Sequence, residues 1–394
     1  MIDRGTTAIE AQLAALSPVQ VSGLVSQALG GQGWDTPHWR HTRIHLSAGS
    51  ATGGIYRLAG TAERGSEQHD WSIILKVVVP LAGMTPEQNE VQSHPIYWKR
   101  EVLAYQSGWL DNLPGGIRGP RCFGVVPQSD GSFWLWLDDV RDDRFGEQWP
   151  IEQYARAARC LGRFNGVYLA GEPWPPYAWL SQNNIEPRGV IDAFGWVEPL
   201  VRDPATWEHP LLRAAFSPAL AARLPVFWTS RHALLEALER LPRTLCHQDA
   251  WRGNMMATRG GADDEIVLID WAVPGQSVLG TDLGDLAVTG YGLVKTSFSL
   301  AEIDEAVFDS YLGGLREAGW PASRKTVRFA YATYAALKYG CLLIWLHDVP
   351  DQNRHAFWER LSGQSMEQYL RHQATMLEHL LRLLDEALDL LEVI

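Results

Sequence analysis

Asp249 and Asn254 stand five residues apart in the stretch Leu245-Cys246-His247-Gln248-Asp249-Ala250-Trp251-Arg252-Gly253-Asn254, and Asp270 follows 21 residues after Asp249. Two carboxylates and an amide offer hard oxygen donors, the set that holds a divalent cation. A carboxylate in such a loop can also orient a hydroxyl for attack on a phosphoryl group. His247-x-Asp249-x-x-x-x-Asn254 fixes only three positions, a match that arises by chance in about one chain in twenty of this length. The surrounding elements have to carry the rest of the argument.

Arg243 to Cys246 reads as a short strand leading into the loop, and the apolar run Glu265 to Ile269 as a second strand ending at Asp270. The turn Gly260-Gly261 lies before it, so a strand–loop–strand unit returns Asp270 toward Asn254. Upstream, Thr42 to Leu46 alternates, Gly49-Ser50-Ala51-Thr52-Gly53-Gly54 is a turn, and Ile55 to Leu58 resumes a strand. Trp71 to Val79 is a β-branched strand holding one charge, Lys76, which is either an edge guard or a cation kept for a ligand. Pro95 to Leu110 has helical spacing with Glu101 inside it. Arg118 to Val126 and Phe133 to Leu137 read as two further strands. After the polar connector Asp138 to Asp143 the chain becomes mainly helical, with Tyr154, Ala157, Ala158, Leu161, Phe164 and Tyr168 marking one buried face. Residues 171–230 hold many Pro and Trp and read as an elaborated insertion. Ser299-Leu300-Ala301-Glu302 is a capping box, and long amphipathic helices are expected at 323–347 and 365–392. At the start, residues 6–30 read as helical, with Ser17-Pro18 as a helix start.

The 394 residues suffice for two core-forming units, and 46% hydrophobic with 20% charged residues is ordinary globular composition. A net charge of −12 argues against a nucleic-acid partner. The four cysteines are scattered and form no CxxC, which fits neither a zinc cluster nor a disulfide framework. No basic region followed by an apolar run opens the chain, and Phe329 to His347, the most membrane-like stretch, carries Lys338 and several tyrosines. A cytoplasmic protein with no membrane partner is the expectation. The oligomeric state is not encoded in any motif.

In its ordered pieces the sequence resembles the aminoglycoside phosphotransferase and choline kinase-like family, a branch of the protein-kinase-like fold, over roughly residues 40–290. The resemblance implies an α+β, bilobal architecture. Residues 1–138 would form a small antiparallel-sheet N-terminal lobe, with 1–30 as an extra helical segment, and residues 139–394 a larger, mainly helical lobe. It implies that the loop with Gly49, Ser50 and Gly53 covers the phosphates of ATP or GTP, that Lys76 contacts them, and that Glu101 holds Lys76. Leu135 to Asp139, with Trp136 and Leu137, is similar to the hinge that receives the base. Asp249 would align and deprotonate the acceptor hydroxyl, while Asn254 and Asp270 would hold Mg²⁺. The implied activity is phosphorylation of a small-molecule hydroxyl, with an aminoglycoside or other antibiotic as acceptor. A metabolic kinase for a sugar, choline-like alcohol or amino alcohol is the alternative, and a non-catalytic pseudokinase the second. No Asp-Phe-Gly or Ala-Pro-Glu segment of the protein-kinase type is present.

The acceptor end stays open at this level. Asp142, Asp143 and Glu147 follow the hinge and either meet an amino group or form an exposed polar loop. Trp251 either stacks on a substrate ring or fills core. The 18 tryptophans, many of them within 134–228, are either an acceptor platform or core fillers. His247, with no second ligand nearby, reads as a structural side chain under the loop.

Overall fold

The protein is described from a computed structural model covering residues 4–45, 51–142, 148–182, 187–258, 265–293 and 296–392. The chain divides into two compact units. The first comprises Met1–Leu113, Arg118–Arg141 and the short return Ile269–Ala272; the second comprises Pro114–Ile117, Asp142–Leu268 and Val273–Ile394.

The first unit is built on a five-stranded antiparallel sheet, in the order Asp35–His45, Thr52–Arg64, Glu67–Val78, Phe133–Asp138, Cys122–Pro127. Period-two burial fixes which face each residue takes. Tyr56, Leu58 and Ala62 point to one face of their strand, as do Trp71, Ile73, Leu75 and Val77 of the next. That face is covered by two helices, Arg4–Ala14 and Pro18–Leu29, through Ile9, Leu13, Val21 and Val25. The second of these helices starts where Ser17 and Gln20 form a capping box with Pro18 in the first turn. These two helices therefore complete a core.

The helix expected over Pro95 to Leu110 is shorter. It runs Arg100–Gln106, breaks at Gly108 in the left-handed region (φ 70°), and continues as a 3₁₀ turn, Trp109–Asn112. Helical spacing of apolar residues extended past a glycine that cannot be read as a break from periodicity alone.

In the second unit, Ile151–Leu169 packs on Leu300–Glu317 with backbones nearly touching. A Cβ on Gly162 would sit 2.2 Å from the Tyr311 carbonyl oxygen, and one on Gly314 would sit 2.2 Å from that of Arg159. Small residues on both helices allow this approach, which larger ones would block. The helix Arg324–Cys341 is buried almost all round and packs on the C-terminal helix Met366–Leu391. Among the described residues it lies in the one helical stretch, Arg324–Asp348, long and apolar enough to cross a membrane; 89% of its apolar window is buried inside the protein. The Pro- and Trp-rich segment is a run of short helices whose Trp179 and Trp228 are core, whereas Trp196 is 48% exposed.

Candidate active site

In the first unit, Lys76 lies on the sheet face opposite Leu75 and Val77. Its ammonium is 2.6 Å from Glu101 and 2.8 Å from Asp270. Lys76 and Glu101 are both buried, while the Asp270 side chain is 40% exposed. Burial works against a charged lysine, yet the carboxylates of Asp270 and Glu101 outweigh it and hold the ammonium protonated well above the usual lysine range. Burial also pushes the Glu101 carboxyl up, partly offset by Lys76 and by the backbone N–H of Trp271.

The helix carrying Glu101 also grips the segment carrying Asp270. Arg100 donates to the Ala272 carbonyl at 3.3 Å, and the buried Trp271 meets Trp109 edge-on at 5.3 Å. Asp270 itself adopts φ 63°, a left-handed conformation that costs a non-glycine residue about 1–3 kcal/mol and persists only where its surroundings enforce it.

Of the other residues expected around the nucleotide, Gly53 falls at a register break between Thr52 and Gly54, where the strand bulges. A Cβ there would lie 2.8 Å from Val79. Gly49 and Ser50 lie outside the described residues. Leu135 pairs with Lys76 and Leu137 with Ile74, so both leucines share the lysine's face. Trp136 points the other way: it is buried in the core under the N-terminal helices, edge-on to Trp134 at 5.7 Å. Strand alternation therefore turns the Trp136 ring away from the face of Lys76, which leaves only the backbone of this residue for a hinge contact.

In the second unit, the strand Arg243–Cys246 pairs antiparallel with Gly275–Val278 and delivers the loop. Asp282, fully buried, accepts from the backbone N–H groups of His247 (3.1 Å) and Gln248 (2.9 Å) and from the Asn165 amide (3.1 Å). Asn165 in turn donates to the Leu245 carbonyl at 2.8 Å and accepts from Tyr311 at 2.8 Å. Gln248 has φ 66°, so the chain reverses sharply just before Asp249. His247 is buried and its Nδ1 accepts from the Asp249 N–H at 3.3 Å, a structural role. Neither Asp282 nor Asn165 was singled out from sequence. For Asn165 the signal is its place between Leu161 and Tyr168 on the apolar face of its helix, where an unpaired polar group would be costly.

The Asn254 amide nitrogen donates to both the backbone carbonyl (3.0 Å) and the carboxylate (2.8 Å) of Asp249. Both neighbours can only accept, so the NH₂ must face Asp249 and the amide oxygen faces away. Asn254 thus presents an oriented hard donor, and Asp270 an accessible carboxylate. Oxygen donors of this kind fit a magnesium-type ion that keeps waters and phosphate oxygens as further ligands. Among the described residues no cluster of three His, Cys, Asp or Glu could cage a metal by itself.

Trp251 folds over Gly253, where a Cβ would be 2.3 Å from its ring. Asp142 is buried in an ion pair with Arg252 at 2.9 Å, so of the two readings its place in the chain allowed it is not part of an exposed polar loop. Asp143 lies outside the described residues, as does Glu147. A further buried cluster forms where Asp285 takes Lys338, Tyr334 and Tyr339 on one carboxylate oxygen, at the head of a π-helical turn, Asp285–Thr289.

The model of the phosphotransferase enzyme family (APH) matches residues 109–325. A microcompartment-associated aminopropanol kinase is similar in structure, with 17% identity over 94% of this chain and 99% of that one and a TM-score of 0.50. The amicoumacin kinase hAmiN, in complex with AMP-PNP, Ca²⁺ and Ami, has 15% identity over 94% and 96% of the chains and a TM-score of 0.47. The choline kinase from Cryptosporidium parvum Iowa II has 9% identity over 89% and 90%, with a TM-score of 0.49. A search of curated protein sequences finds no match. The likeness to the first of these structures establishes a protein-kinase-like fold.

Proposed function

Because the chain belongs to the phosphotransferase enzyme family, we propose that it transfers the terminal phosphoryl group of ATP or GTP to a hydroxyl of a small molecule. The observation that carries this is the Asp249–Asn254 pair: an amide pinned by the carboxylate beside it, on a loop anchored by Asp282. The buried Lys76, held charged by two carboxylates, supports a nucleotide reading of the other unit.

In the mechanism, the Asp249 carboxylate accepts a hydrogen bond from the acceptor hydroxyl and takes its proton as the new P–O bond forms. A carboxylate is a weak base for an alcohol, so alignment contributes more than basicity. Lys76 lends fixed positive charge to the nucleotide phosphates, and Glu101 keeps its ammonium aimed. Asn254 in the second unit and Asp270 in the first are each an oxygen donor suited to Mg²⁺, which would supply charge neutralisation to the phosphates. The complete set of polar groups supports turnover over a merely nucleotide-binding role.

The acceptor is the finer question. An antibiotic such as an aminoglycoside and a metabolic alcohol (a sugar, choline or amino alcohol) are both hydroxyl acceptors that this chemistry serves. Nucleotide consumption measured with ATP and GTP against a panel of these compounds decides between them. Consumption stimulated by none of the panel, together with no binding of either nucleotide, would remove the proposal.

A further inference from the structure

Arg252 is the only cation between Asp249 and Asn254, and it turns inward. Its guanidinium meets several groups of the second unit. One terminal nitrogen pairs with Asp142 at 2.9 Å, with both side chains less than one-tenth exposed. The other donates to the Met255 carbonyl at 3.2 Å. Its planar face lies 4.4 Å from the ring centre of Trp149, whose indole N–H donates to the same Asp142 oxygen. Tyr154 meets Trp149 edge-on at 5.4 Å and closes the cluster.

We infer that Arg252 is a positioning residue for phosphoryl transfer, with Asp142 as the counter-charge that aims it; this rests on the phosphotransfer reading of Asp249 and Asn254. Burying a guanidinium and a carboxylate is costly, and apolar side chains would stabilise the same space at least as well. What the pair adds is direction. Arg252 and Met255 flank Gly253 and Asn254, so the bond from Arg252 to the Met255 carbonyl closes a short ring of backbone around Asn254. The Asn254 amide then grips Asp249 on both its carbonyl and its carboxylate. Orientation passes from Asp142 through Arg252 to Asn254 and on to Asp249. A planar fork can serve a carboxylate, a carbonyl and an aromatic face together, whereas an ammonium cannot. Lysine should therefore fail at this position although it keeps the charge.

The test compares wild type with Arg252→Lys, Asp142→Asn and the double variant. Two quantities are measured: phosphate release from Mg·ATP with water as the acceptor hydroxyl, and backbone hydrogen exchange. Arg252→Lys should lower the maximal rate on the order of 10- to 100-fold, with the KM for Mg·ATP within about two-fold of wild type. The double variant should be no slower than Arg252→Lys alone, because both changes cut one chain of contacts. Exchange over residues 249–256 should quicken in both single variants while the rest of the second unit keeps its protection. Independent, multiplicative losses from the two substitutions would overturn the inference. So would unchanged exchange over 249–256, or a raised KM with an unchanged maximal rate. A wild-type protein that neither binds nor hydrolyses Mg·ATP would count against the phosphotransfer reading, whereas the exchange measurement judges the Arg252 contact by itself.

Discussion

Lys76 shows how one residue can be decided by its neighbours. As a lone lysine in an apolar strand it has two explanations; the central place of its strand removes the edge guard, and Glu101 and Asp270 supply its counter-charges. Two consequences follow at this scale. Glu101→Gln removes one of the two carboxylates and should destabilise the protein by about 1–3 kcal/mol, read as a fall in melting temperature, while also raising the KM for nucleotide. An unchanged KM would argue that Lys76 does not meet the phosphates. Asp249→Ala should cut transfer by at least about 100-fold with nucleotide affinity retained, as seen by titration with a non-hydrolysable ATP analogue. Near-normal turnover in that variant would refute the assigned base. Types and spacing suffice to propose Asp249, Asn254 and Asp270, because the proposed chemistry is carried by the side chains themselves. The direction of the Trp136 ring was not legible from its place in the hinge stretch, because strand alternation sends it to the opposite face from Lys76.

At the scale of elements, the loop before Asp249 depends on a helix start that looks unrelated in sequence. Asp282 lies 33 residues beyond Asp249 and Asn165 lies 84 before it, yet they hold its backbone and strand. Burial, opposed by these hydrogen bonds and reinforced by Asp285, raises the Asp282 carboxyl to about 6. The folded state therefore binds this proton more tightly than the unfolded chain does. The stabilising contribution is complete below the ordinary aspartate value near 4 and is lost as pH rises through 6, about 3 kcal/mol in all. Asp282→Asn removes the titration. Plotted against pH, the melting temperatures of wild type and variant should diverge between 4 and 6 and run parallel above 7. Parallel curves throughout would show that Asp282 does not titrate there. Periodicity found the long helices, and a residue motif the capping box at Ser299. It could not find Asp282 or Asn165, whose roles exist only once distant elements are packed together.

At the scale of the whole molecule, the division by contacts departs from a division by chain order. Ile269–Ala272 belongs with the sheet unit although the sequence around it belongs to the helical one. A linear reading places the Asp270 turn with the loop that precedes it, because the grip of Arg100 and Trp109 on that turn is a long-range matter. The first thirty residues are similar. Their helices were legible, while their task of covering one sheet face became clear only from the packing of Ile9, Leu13, Val21 and Val25.

The buried helix Arg324–Cys341 has a consequence for how the protein is made. Its principal partner, Met366–Leu391, lies further along the chain and leaves the ribosome after it. Until then, a stretch apolar enough to be mistaken for a membrane span waits without the surface that covers it, the circumstance in which nascent chains aggregate. A chain ending at Gly363 would remain in that state permanently. It should partition into the pellet after expression, whereas the full chain stays in the supernatant. Supplying residues 364–394 as a separate segment during synthesis should return part of it to solution. Equal recovery of the shortened chain would mean that other elements shield the helix without Met366–Leu391.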